Sequence, residues 1–421
     1  MKEENMKSEK EELGRAALFK NKNFIALFIA ALFSAPGYYV YLIGVEWLML
    51  SIDDNRFFFG MLFMAASIPR LLLLAVGGIV ADRFNKRTIV FISNITRASL
   101  IILLIVFVLQ DSVTPYHLIV LAMFFGISDA FSYPALSSLA PMILSEDQLQ
   151  KGNSLIQMTT QISPILGPAL GGTLIALLGF VGVFSVATTM LVISAIAILS
   201  IRIIEEEIDE EKATPWEDLK EGFAYMRSNE LIVTIVVMAF FLNFFFSGPL
   251  AIGLPILVKD IFSGDVVGLA SIETSMGLGA LLGALLLTMY KLKQPGYTIL
   301  FSLTGLGILY TFTGVSTSVM MTAALVGFMG FLTQLLNIPI ITMMQQITER
   351  KMLGRMMSFF MTVSTGLVPV SYLVTSILIG FNINIQSIMF ASGLMITALA
   401  LFQFRNPKIA RFSFTKEGEA L

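Results

Sequence analysis

Gly78-Ile79-Val80-Ala81-Asp82-Arg83-Phe84-Asn85-Lys86-Arg87 sets a glycine, an acid and three bases between two long apolar segments. So short a polar interruption reads as a tight cytoplasmic hairpin joining two membrane-crossing helices. The composition around it agrees. Of 421 residues, 56% are hydrophobic and 13% charged, and the mean hydropathy of +0.83 exceeds what a soluble domain of this size needs.

Runs of about 20 apolar residues, each able to cross a hydrocarbon core of roughly 30 Å as a helix, recur along the chain. Twelve spans are predicted, over 24–50, 57–80, 89–109, 117–143, 155–178, 181–201, 231–257, 267–290, 297–315, 318–343, 356–380 and 384–404. The first 23 residues are charged and lack an apolar core, and the segment after them is too long for a signal peptide, so no cleavage is expected. Of the 27 Lys and Arg, only Arg56 and Lys259 fall on one side of this pattern; Arg70 and Arg97 lie within spans, and all the others share the opposite side. Lys and Arg stay in the cytoplasm, which puts both termini there and requires an even number of spans.

The residue inventory excludes several classes. A net charge of -2 points away from nucleic acid, and a chain without Cys holds no disulfide, thiolate metal site or Cys nucleophile. One histidine gives neither a metal cluster nor a nucleophilic triad, and no nucleotide-binding loop is present, so no enzyme, cofactor or ATP motor is expected. An ion gradient is then the energy source.

The longest polar interruption divides the chain into an N-terminal arm (1–23), a six-helix bundle (24–201), a cytoplasmic linker (202–230), a second six-helix bundle (231–404) and a cytoplasmic tail (405–421). In the linker an acidic run, 205–211, leads to Thr214-Pro215-Trp216-Glu217, with Thr at the cap, Pro at the first helical position and Glu three residues after the cap. Trp216, Leu219, Phe223 and Met226 then share one face, which puts this helix at the lipid headgroups or against the bundle. The two halves echo each other. Pro134 to Pro141 precedes a polar turn, Gly152 and a span with Pro168, as Pro339 to Gln346 precedes a polar turn, Gly354 and a span with Pro369. Repeats of this kind mark two-fold transporter folds, whose substrate sits between the halves near the membrane midplane.

The hairpin resembles the signature loop of the major facilitator superfamily, and Gly78, Asp82, Arg83, Lys86 and Arg87 match its fixed offsets. The family usually has a second Gly where this chain has Asn85, the next most tolerant residue for a left-handed turn. In the resemblance these residues form a conformational gate: Gly78 lets two helices approach closely, and Asp82 pairs with a base or a helix N-terminus in one conformation only. The corresponding loop of the second half, Lys291 to Gly296, lacks the acid. Gly167, Pro168, Gly171 and Gly172 in span five resemble the helix-bending Gly-Pro signature of the antiporter branches, with Ser163 standing where that signature has a Gly. The alternative for this stretch is a plain packing face.

Asn243, Pro249, Leu254 and Pro255 in span seven, Gly277, Gly279 and Gly283 in span eight, and Asn337 to Gln345 with Gly354 and Arg355 resemble the branch that contains macrolide-efflux proteins and the enterobactin exporter. Pro36-Gly37-Tyr38-Tyr39 departs from the acid that many relatives carry in span one. The resemblance implies an all-α membrane protein with twelve transmembrane helices in two pseudo-symmetric six-helix bundles, proton-driven efflux and an organic substrate.

Ionisable residues within spans are the leading site candidates, because each costs at least about 2.5 kcal/mol at the bilayer centre unless it faces a cavity or a partner. They are Glu46, Arg70, Arg97, Asp129 and Glu273. Asp129 has the best claim to carry a proton, since an intramembrane carboxylate is set by the partner facing it. Glu273 is a second titrating site or a ligand for a cationic group, and Glu46, near the outer end of span one, is reached by water. Each acid also reads as a static ion-pair partner of Arg70 or Arg97. His117 opens span four on the outer side, where a lone His is usually wet. Gln157, Gln161, Gln334 and Asn337 are uncharged polar groups able to orient a ligand or bridge helices, and the Phe residues around Asn243, Phe244 among them, suit an adaptable apolar pocket as well as a packed core.

The reading is a proton-coupled antiporter that exports a bulky drug, macrolide-like or siderophore-like compound by alternating access, as a monomer in lipid, in a bacterial cytoplasmic membrane. Two alternatives stand beside it: a proton-coupled importer of a small nutrient, and a non-transport receptor on the same fold.

Overall fold

The computed structural model describes residues 18–202, 215–290, 292, 294–349, 351–410 and 412, without the side chains of Ala75, Asp82, Glu146, Asp147 and residues 215–219. The start of the N-terminal arm, the acidic run 205–211 with Thr214, Lys291 and Lys293, and the end of the tail therefore lie outside the described residues, as do the side chains of Asp82, Trp216 and Leu219.

Among the described residues the elements are all helices, and eleven are long and apolar enough to cross a membrane. The longest apolar stretch, Gln148–Leu199, has 52 residues. At 1.5 Å per residue it would run about 80 Å, more than twice the hydrocarbon core. Gly179 interrupts it with φ 66° and ψ -169°, backbone that glycine alone adopts without strain. Dividing the helix there yields twelve spans, and the break falls between the predicted spans 155–178 and 181–201.

The chain forms two compact units. The first comprises residues 1–52 and 65–209, the second 53–64 and 210–421. The first unit contains α1 (Lys22–Ile52), α2 (Arg56–Arg83) from residue 65 onward, α3 (Lys86–Leu109), α4 (Pro115–Ser137), α5 (Leu139–Ile143) and α6 (Glu146–Leu199). Polar residues at the ends of the apolar runs start these helices. Asn85 accepts the Thr88 amide at 3.1 Å, and Thr114 and His117 form a reciprocal capping box ahead of α4, with Pro115 at its first position. Helix α1 lies along α6, where Gly167 faces Tyr39 and a Cβ on Gly171 would stand 3.3 Å from the Val40 carbonyl oxygen. Helices α2 and α4 meet backbone to backbone: a side chain at Gly126 would strike the Ala66 carbonyl, and one at Gly77 the Ala130 carbonyl.

The second unit contains residues 56–64 of α2, α7 (Pro215–Ser228), α8 (Glu230–Ile256) with a π turn at Leu257–Ile261, α9 (Val266–Met289), α10 (Pro295–Gly314), α11 (Val319–Ile347), α12 (Leu353–Gly366), α13 (Val368–Gly380), α14 (Ile385–Gln403) and α15 (Pro407–Ala410). Helix α7 is described from Pro215 onward and packs on α12, and its expected cap, Thr214, lies outside the described residues. Gly222 lies against Phe359, Glu221 pairs with Arg355, and the Glu349 amide donates to the Tyr225 hydroxyl at 3.0 Å. Of the two locations expected for this helix, the structure shows contact with the bundle.

Candidate functional site

Arg70, Arg97 and Asp129 come from three separate helices of the first unit and meet in one ion cluster. Arg97 Nη2 lies 2.7 Å from Asp129 Oδ1, and Arg70 Nε lies 2.9 Å from Asp129 Oδ2. Both carboxylate oxygens are therefore taken, each by a different guanidinium. Arg70 stands at the middle of α2 and Arg97 at the middle of α3, so each is on the order of 15 to 20 Å from either end of its helix. Asp129 is thus paired with both arginines.

The three side chains differ in access. Arg97 is 6% exposed, Asp129 28% and Arg70 47%. Aromatic rings fix Arg97 from below: its guanidinium lies 5.5 Å from the Phe125 ring centre, and Phe125 stacks on the buried Tyr41 at 4.4 Å. A buried polar relay supports the same level of the unit. Asn94, one turn before Arg97, donates to Ser194 Oγ at 3.0 Å, and Ser194 donates to the Ala30 carbonyl at 2.9 Å, joining α3, α6 and α1. Ser128, beside Asp129, donates to the Ser93 carbonyl at 3.0 Å. These bonds hold α3 and α4 in register where the charges meet, and unpaired polar groups at that depth would be costly.

The described hairpin residues make the following contacts. Arg87 donates to the Ile201 carbonyl at 2.9 Å and reaches the Leu199 carbonyl at 3.5 Å, closing the carbonyl end of α6. Arg83 is exposed and Lys86 half-buried. Gly78, expected to let two helices approach, has nothing within 4 Å of its Cβ position among the described residues; its neighbour Gly77 makes the close contact. One residue turns the helix by about 100°, so adjacent glycines cannot serve the same interface. Asn85, expected to supply a left-handed turn, has φ -59° and ψ 111° and acts as the cap of α3. The hairpin needs no left-handed residue because its side-chain bond to Thr88 makes the turn.

Other candidates are placed as follows. Glu46, expected to be wet, is 4% exposed within the first unit. His117 is half-buried, stacked on Phe107 at 4.3 Å, with its Nδ1 accepting the Thr114 amide. Gly167 and Gly171 face α1, Pro168 and Gly172 are buried, and the one departure from helical φ and ψ in α6 falls beyond them at Gly179. Gln157 and Gln161 are exposed on α6. In the second unit Glu273 is half-buried in α9, Asn243 donates back to the Ala239 carbonyl of its own helix at 2.9 Å, Gln334 packs at Gly283, and Asn337 is exposed. Phe244 lines a cavity of about 170 Å³ with Pro249, Ser371, Thr375, Ile388 and Met395. Ser371 and Asn94 were not singled out from sequence. Asn94 carried a signal, an amide in an apolar span one turn from Arg97; the role of Ser371 depends on tertiary contact alone.

A family model described as transmembrane secretion effector matches residues 14–416. The chain is 25% identical over 411 residues to the uncharacterized MFS-type transporter YkuC of Bacillus subtilis (strain 168), covering 92% of this chain and 93% of that one. It is 22% identical over 332 residues to macrolide efflux protein A of Streptococcus pyogenes, covering 77% and 81%. The crystal structure of nucleoside transporter NupG matches with a TM-score of 0.70 at 13% identity, over 91% of this chain and 98% of that one, which shows the fold.

Proposed function

The chain belongs to the transmembrane secretion effector family of the major facilitator superfamily, and from that premise we propose that it exports a bulky organic compound, macrolide-like or siderophore-like, in exchange for protons by alternating access. The family makes it a multi-pass transport protein and not an enzyme. Export is supported by the likeness to macrolide efflux protein A. On this reading both termini face the cytoplasm of a bacterial membrane, and the protein works as a monomer in lipid.

The observation that carries the coupling is the cluster of Arg70, Asp129 and Arg97. A carboxylate shared by two guanidiniums has two arrangements, one charged and paired, the other protonated with the arginines released. A proton reaching Asp129 therefore changes what Arg70 and Arg97 hold, and substrate departure can be linked to that change. Glu46 and Glu273 are the further protonatable groups within spans. The cavity beside Phe244, at about 170 Å³, is smaller than the roughly 300 Å³ of a small drug pocket, so it takes one ring or alkyl arm of a larger compound.

The test is purified protein in liposomes with an imposed pH gradient, with proton flux followed as macrolides, cationic dyes and siderophores are added. Flux triggered by one class establishes antiport; silence from folded protein across the panel refutes it. Asp129→Asn is expected to abolish uphill transport. Uphill efflux retained by that variant removes Asp129 as the carrier.

A further inference from the structure

The ion cluster does not balance. Two guanidiniums face one carboxylate, leaving one positive charge in the middle of three membrane-crossing helices, where a lone charge is strongly disfavoured. The arrangement of donors locates the excess. Both oxygens of Asp129 are occupied, and Arg97 is nearly sealed, with its Nε buried and unbonded. Arg70 uses only Nε toward Asp129; its Nη1 and Nη2 meet no other partner among the described residues, and its side chain is 47% exposed. A guanidinium anchored through Nε presents its remaining N–H groups as a planar fork, the shape that takes two oxygens of an anion.

We infer that Arg70 is an anion-binding residue, and that the exported compound carries an acidic group ionised at neutral pH, a carboxylate, which docks on this fork. The inference rests on the transport reading and narrows it: it selects acids from the bulky organic compounds and turns away from cationic ones. Asp129 and Arg97 then have a defined part. They hold Arg70 in place through Nε, and the incoming anion neutralises the charge they leave over.

Matched probes isolate the charge. Bulky aromatic monocarboxylates with no other ionisable group, of the pyrenebutyrate class, and their methyl esters share a skeleton and differ by the acid alone. Binding is titrated on the full-length protein in detergent, and transport is measured in liposomes. The acids are expected to bind at least tenfold tighter than the esters, and Arg70→Gln to remove about tenfold to a hundredfold of acid affinity while leaving the ester unchanged. Arg70→Lys keeps the charge without the fork and should fall between. Equal binding of acids and esters by the wild-type protein overturns the anion site without any variant having to fold, and leaves the transport reading standing. Binding of acids over esters with no transport of either, under any gradient, supports the site and refutes the transport reading.

Discussion

Ser371 accepts the amide hydrogen of Gly248 at 2.8 Å, and its own hydroxyl donates to the Phe244 carbonyl. Gly248 and Phe244 are four residues apart and would bond each other in an uninterrupted helix. The hydroxyl of α13 thus stands inside the backbone ladder of α8, one residue before Pro249, whose missing N–H leaves a second carbonyl open. Two of the helices lining the cavity beside Phe244 are joined at this point. Ser371→Ala lets the two backbone groups close on each other, so the expected loss is about 1 kcal/mol or less, read as a small fall in the thermal unfolding midpoint in detergent. Ser371→Val drives added bulk against Gly248 and should cost about 1 to 3 kcal/mol. Midpoints for both variants equal to that of the wild-type protein would show that neither the hydroxyl nor the close fit at Gly248 seats α13 on α8.

Gly77 and Gly78 separate packing from motif. Gly77 meets the Ala130 backbone, and Gly78 meets nothing within 4 Å among the described residues. Gly78→Ala is expected to leave stability unchanged or raise it by up to about 1 kcal/mol, the helix-propensity difference. Gly77→Ala should lower it, because the Ala130 carbonyl cannot give way as a side-chain tip does, and by parting α2 from α4 it should also loosen the Arg70 contact to Asp129. Thermal unfolding of the two alanine variants decides the matter: a larger loss at Gly78 would reverse the assignment.

What was legible in sequence follows from which physics acts locally. Apolar length gave the spans, including the division at 178–181, because the bilayer filters each helix separately. Asp129, Arg70 and Arg97 stood out because charge inside a span is anomalous wherever it lies, yet their mutual pairing needed three helices to be set in rotation about one another. Rotation is also what separates Gly77 from Gly78. Asn85 was misread as a left-handed residue because the same side chain serves as a helix cap, and the choice turns on where Thr88 lies. The bonds of Arg87 to Leu199 and Ile201 were not legible, because they depend on the end of α6, more than a hundred residues away in sequence.

Arg56 and Asp260 form a two-pronged pair, with Nε to Oδ2 at 2.7 Å and Nη2 to Oδ1 at 2.6 Å, and Arg56 is only 12% exposed. This pair ties the first turns of α2 to the end of α8 within the second unit. Arg56→Gln leaves Asp260 without its fork and should destabilise by about 1 to 3 kcal/mol. A double-mutant cycle with Asp260→Asn is expected to return a coupling of about 1 kcal/mol or more. Additive losses would mean that the two charges contribute independently and that other contacts hold residues 53–64 in place.

The anion site makes an electrical statement about transport. When a neutral compound leaves as one proton enters, one elementary charge moves inward, about 2.3 kcal/mol per 100 mV, and the compound is concentrated some fiftyfold. When the compound is an acid, its negative charge leaves as the proton enters. Two charges then move in the same electrical sense, and the driving force rises to about 4.6 kcal/mol per 100 mV. Liposomes loaded with the carboxylate probe or its methyl ester, with the potential clamped by potassium and valinomycin, should therefore show steady-state gradients whose logarithm rises about twice as steeply with inside-negative potential for the acid as for any ester transported. Arg70→Gln should abolish transport of the acid without changing the slope for the ester. An acid gradient indifferent to potential would exclude this stoichiometry and point to electroneutral exchange of the compound for another anion at the same arginine.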